Sequence, residues 1–351
     1  MENNVTTFAK SLYVGICALL LSFAPMQAFA AGGEGDGEEF NAKDMILHHV
    51  MDDYGWHIAE VDGHHVSIPL PIILITDGQL DLFMSSDFHH EPEGMYTTDI
   101  GTYKLDHGDI VETSGKPVLD FSITKNVASM MLAVIILFAL FLPAGSVARK
   151  SGATTAPEGK QNLLEALVQF IIDDVMIPNI GEKHYRKYVP YIMSIFFFIW
   201  VNNLLGLIPT AANASGNIAF TATLAVFTLI VTNVSGTKDY WKHIFWTPGV
   251  PLPIRVIILP IELLGIFTKP FALMVRLFAN ITAGHIIILS LLSFIFISKT
   301  LASGLVAGLA VSPVIIAMNM LELFVAALQA YIFALLSSLF IGMAVEEHGD
   351  H

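Results

Sequence analysis

The chain has 351 residues, 54% of them hydrophobic and 14% charged, and its mean hydropathy of +0.64 excludes an ordinary soluble domain. The formal charge of −14 is concentrated in one segment: residues 31–122 hold nineteen Asp and Glu against three Lys and Arg, and the remainder is near balance. No basic face for nucleic acid remains, and the single cysteine, Cys17, excludes an intrachain disulfide.

Residues 1–30 read as a secretory signal peptide. Lys10 lies in the n-region, an apolar core follows over about 12–23, and Ala28-Phe29-Ala30 offers a small-residue cleavage site whose use removes Cys17. Residues 31–125 are polar and acidic, with short alternating runs such as HHVSIPLPIILIT and GQLDLFMS between Asp-Gly, Pro and His-rich turns. That pattern predicts a small exported domain containing strands. Eight of the thirteen histidines lie here, including His48-His49, His64-His65 and His89-His90. Their spacing matches no closed metal site, so they are read as solvated or partner-facing, and no metal or cofactor is expected.

Residues 126–147 form the first clear spanning helix. Arg149, Lys150 and Lys160 follow it, which places its end on the cytoplasmic side and the acidic domain outside. After the linker GATTAPEGK, the stretch QNLLEALVQFIIDDVMIPNIGEKHYRKY is amphipathic and predicts a helix on the membrane surface. Between Tyr188 and Thr237 there is no charged residue. The break at Pro209 and TAANASGN makes this a helical hairpin, out over 189–208 and back over 218–234.

The next apolar run extends from about 251–255 to 298, roughly 66 Å of helix at 1.5 Å per residue. That is about twice the hydrocarbon thickness, so it must tilt, bend or divide. Glu262, Lys269, Arg276, Asn280 and His285 lie within it. At about 100° per residue the first four form one polar stripe, and His285 is nearly opposite Arg276. A charge near the bilayer centre costs at least about 2.5–3.5 kcal/mol, so Arg276 is read as part of an ion pathway or as a counter-ion. Glu262 and Lys269, nearer the basic loop with Lys238, Lys242 and Arg255, suit an interface. The last apolar run, 304–345, is equally overlong; Glu322 is its one charge, and Gln329 shares its face. The predicted architecture is an all-α polytopic membrane protein: a spanning helix, a surface amphipathic helix, a helical hairpin and two long tilted helices. The strand-containing exported domain precedes it, and the C-terminus is cytoplasmic.

MVRLFANITAGH (274–285), followed by LELFVAALQAYIFALL (321–336), resembles subunit a of the F-type ATP synthase, the stator of its proton-translocating membrane sector. The resemblance covers residues 126 to the end. It implies that Arg276 faces a rotating ring of c subunits, with Asn280 and Gln329 beside it, and that His285 and Glu322 belong to a half-channel. The acid and the imidazole look exchanged between the two helices relative to many bacterial members, as in mitochondrial ones. Glu262 and Lys269 match further family positions. The resemblance also implies b subunits of a peripheral stalk and the remaining synthase subunits as partners, in a bacterial inner membrane. No nucleotide chemistry is expected of this chain, and no G-x-x-x-x-G-K-[ST] loop is present. Two other classes compete: a self-contained secondary transporter using Arg276 and Glu322, for which no inverted repeat is visible, and a structural scaffold, which leaves Arg276, Glu322 and Gln329 unexplained. Co-purification with a c-ring separates them from the first.

Overall fold

A computed structural model describes residues 52–61, 64–89, 95–106, 108–151, 160–208, 212–246, 251–296 and 301–346. The expected signal peptide and the His48-His49 pair lie outside these residues. Among the described residues the N-terminal region is built from eight strands in three antiparallel groups. β1 (Gly55–Val61) pairs with β2 (His64–Pro69). β3 (Pro71–Thr76) lies between β4 (Gln79–Met84) and β8 (Val118–Asp120). β6 (Thr102–Asp106) lies between β5 (Met95–Thr97) and β7 (Asp109–Glu112).

The β3–β4 turn is Asp77-Gly78, both with positive φ (52° and 77°), the backbone that a two-residue hairpin demands and that Asp-Gly tolerates. Tyr54, Ile72, Leu74, Phe83, Phe88, Tyr103 and Ile110 form the core. Phe83 packs its ring against Phe88, Tyr96 and Tyr103. Burial raises the pKa of Tyr103, whose hydroxyl bonds Thr76 Oγ1 at 3.0 Å.

A four-residue link, 121–124, joins β8 to the first helix. Ile123 N–H donates to Pro71 O, and Lys125 N–H to Asp53 O at 2.8 Å. The Asp52 carboxylate accepts from Thr124 Oγ1 and from Asn126 N–H. The start of the spanning helix is thereby fixed to the domain.

Among the described residues five helices are long and apolar enough to cross a membrane, as expected. These are α1 (Lys125–Ser151), α3 (Tyr185–Gly206), α4 (Ile218–Ser235), α6 (Leu252–Phe296) and α7 (Leu301–Val345). α6 is one continuous helix through Pro260 and Pro270 rather than two. Two features escaped the sequence. α5 (Lys238–Phe245), capped by Thr237, occupies the expected basic loop. The amphipathic segment is α2 (Lys160–Phe170), continued by a π-helical turn, Ile171–Met176, and a short helix, Ile177–Ile180. Its apolar side is buried against protein: Ile171, Val175, Met176 and Ile180 join the main core with residues of α3, α6 and α7.

The carbonyl of Asn179 reaches α7 so closely at Gly342 that a Cβ there has no room. At the same end the Thr237 N–H donates to Ala344 O at 2.9 Å, joining α4 to the end of α7. At the other end Ser129 Oγ of α1 meets Ala212 O in the α3–α4 loop.

Candidate functional site

α6 packs one strip, Leu273, Leu277 and Ile281, into the core. Arg276 and Asn280 are on one flank of that strip and His285 is on the other, as the helical period requires. Arg276, Lys269, Glu262 and His285 are half-buried; Asn280 is exposed. Lys269 Nζ sits 5.6 Å from the ring centre of Phe340 on α7. Among the described residues Arg276 makes no ion pair or hydrogen bond.

Glu322 is 7% exposed and Gln329 4%, so both acid and amide of α7 are enclosed by protein. The Glu322 side chain occupies the space left by the missing side chain of Gly284. A Cβ there meets Oε1 directly, with Cδ at 3.1 Å and Cγ at 3.2 Å. Glu322 Oε1 is buried without a hydrogen-bond partner, which is costly for a carboxylate in this environment. The Gly284–Glu322 and Lys269–Phe340 contacts show that α6 and α7 run antiparallel. Interpolation between them brings Arg276 level with the turn of α7 that holds Gln329 and Phe333. Four of the seven predicted residues therefore meet at the α6–α7 seam, Arg276 and Asn280 on one flank and Glu322 and Gln329 within it, while His285 is on the opposite flank and Glu262 and Lys269 lie further along α6.

Sequence reasoning missed the glycine's part in this seam and a polar brace beside it. Asn203 of α3 is 2% exposed; its Nδ2 donates to Ala326 O at 3.1 Å, and its Oδ1 accepts from Ser215 Oγ at 2.5 Å. The brace ties α3 and the α3–α4 loop to α7 one turn from Glu322. Deeper in, the Tyr191 hydroxyl and Thr228 Oγ1 bond at 2.8 Å, and Thr228 reaches Ser337 Oγ at 3.4 Å. Two asparagines in an uncharged spanning run were the available signal. Among the described residues no group of three or more His, Cys, Asp or Glu is gathered as metal ligands.

Comparison with known proteins gives a family match over the membrane part. The model described as ATP synthase A chain matches residues 127–342, and a domain of unknown function, DUF8433, matches residues 45–130. "ATP synthase subunit a 2" of Chlorobaculum tepidum is 42% identical over 329 residues, covering 92% of this chain and 79% of the relative. "ATP synthase subunit a" of an Anaeromyxobacter species is 40% identical, covering 93% and 76%. "ATP synthase subunit a 2" of Chlorobium luteolum is 49% identical over 236 residues, covering 66% and 67%. A secondary-transporter identity finds no support among these relatives.

Proposed function

The chain belongs to the ATP synthase A chain family, the stator subunit of the F-type enzyme, and from that premise we propose that Arg276 is the fixed charge opposite the carboxylates of a c-subunit ring. The supporting observation is the guanidinium itself, half-buried in a spanning helix and without a partner among the described residues. A guanidinium keeps its proton, and an uncompensated charge at membrane depth costs at least about 2.5–3.5 kcal/mol. Its counter-charge comes from another chain. A rotor carboxylate that passes Arg276 is favoured in its ionised form and releases its proton there. The same fixed positive charge bars a direct leak between two offset half-channels.

Glu322 and His285 carry protons between the aqueous side and the rotor site, the buried acid standing at the seam and the imidazole on the opposite flank of α6. Asn280 and Gln329 line the approach to Arg276. Glu262 and Lys269 sit further along the Arg276 flank, toward the basic end. At about 150 mV each proton delivers roughly 3.5 kcal/mol, so several pass for each ATP made.

Arg149, Arg186, Lys187, Lys238, Lys242 and Arg255 fall at the end of the bundle where α1, α4 and α7 finish and α3 and α6 begin. The positive-inside rule supports that end as cytoplasmic, with the strand domain, residues 31–125, outside; the b subunits of the peripheral stalk are proposed as partners on family membership alone.

The rotor contact is tested in the assembled complex with Asn280→Cys and a cysteine next to the carboxylate of the c subunit. Mild oxidation is expected to give an a–c disulfide. An intact complex that never cross-links at any rotor position would place Arg276's partner elsewhere.

A further inference from the structure

The exported sheet buries one face and presents the other. On its outward face stand Pro71, Ile73 and Ile75 of β3, Leu80, Leu82 and Met84 of β4, and Leu119 and Phe121 at β8. The strand registers place these side by side: Met84 with Pro71, Leu82 with Ile73, and Leu80 with Ile75 and Leu119. Leu80, Leu82, Leu119 and Phe121 are each about 60% exposed (62%, 63%, 59% and 62%). An antiparallel sheet normally turns polar residues to water on its free face. Eight adjacent apolar positions with no charge among them mark a contact surface.

We propose that this face docks an exported polypeptide segment that presents apolar residues flanked by Lys or Arg. Charge selects the occupant. The segment that carries the patch, residues 31–122, holds nineteen acids against three bases, so a basic rim is attracted and a second copy of this acidic domain is repelled at close range. Lipid fits poorly for a different reason. The sheet is pinned to the start of α1 at its Pro71 end by the Ile123–Pro71 and Lys125–Asp53 hydrogen bonds. The apolar face continues along the strands from there to Leu80 and Leu119, four residues or about 13 Å further from the membrane helix. β4 is also an edge strand among the described residues, so an extended segment can lie beside it as well as across the face.

The test uses the complete complex in detergent and two synthetic probes, an alternating Val-Lys octapeptide and its Val-Glu counterpart. The Val-Lys peptide is expected to bind, to weaken with added salt, and to lose about tenfold or more in affinity with Leu80→Asp/Leu82→Asp. That double variant alters two exposed side chains, and an unchanged thermal transition of the complex confirms the fold. A Leu82→Cys variant discriminates the rivals. A disulfide between two copies under oxidation identifies self-association, and protection from a thiol reagent by phosphatidylcholine vesicles identifies lipid. Either result, or equal binding of both peptides, overturns the proposal.

Discussion

Helices α6 and α7 are both 45 residues long, yet 44% of the most apolar stretch of α7 is buried within the protein against 11% for α6. The difference lies in their neighbours. α7 packs on α3, α4, α6 and the π-turn segment and its short helix, while α6 rests on α7 and α4, with smaller contacts to the α3–α4 loop and α5, and gives only Leu273, Leu277 and Ile281 to the main core. The long helix that carries the carboxylate is thus locked into the stator, and the one that carries the guanidinium displays a flank. Such a division suits a fixed acid that exchanges protons within the protein and a fixed cation that acts on something outside it.

The largest way to break this comparison is Gly342→Val. Its Cβ collides with the backbone carbonyl of Asn179, and a backbone cannot swing aside as a side chain can. Overpacking of about 1–3 kcal/mol or more is expected, read as loss of the subunit from membranes on blots. Gly284→Ala separates stability from function. There the collision is with the flexible end of Glu322, so the subunit is expected to assemble. ATP-driven proton pumping falls at least about tenfold because the carboxylate is displaced from its notch, a loss of about 1.4 kcal/mol or more in barrier terms.

Smaller effects sharpen the contrast between the helices. Ile341→Ala, at a fully buried position of α7, is expected to cost about 2–5 kcal/mol. Ile257→Ala on α6, 66% exposed, is expected to stay within about 0.5 kcal/mol. Thermal unfolding of the purified complex measures both, and equal losses would contradict the unequal anchoring.

Much of this architecture was legible from hydropathy because a spanning helix must satisfy its own backbone and so announces itself by length and apolarity. The hairpin at 189–208 and 218–234 corresponds to α3 and α4 within a few residues. The π-turn was not legible, because an inserted hydrogen-bond step leaves no residue signature in IIDDVM. Nor was the facing of β4. The alternation in QLDLFM predicts a strand but leaves its facing open, and Phe83 is inside with Leu80 and Leu82 outside. The aromatic cluster claims Phe83, and Asp81 on the same side is tolerated because Thr98 Oγ1 bonds its carboxylate. At the site, the polar residues of α6 and α7 stood out against their apolar runs, whereas Gly284 reveals its part only when the partner helix is seen to fill its place.

The most direct test of the central claim is ATP-driven acidification of inverted membrane vesicles carrying Arg276→Lys or Arg276→Ala, with blots to confirm assembly. Both variants are expected to assemble and to lose pumping. Alanine removes the charge, and a buried lysine gives up its proton where the guanidinium does not. Normal pumping with Arg276→Ala would contradict the role of Arg276 as the fixed charge facing the rotor.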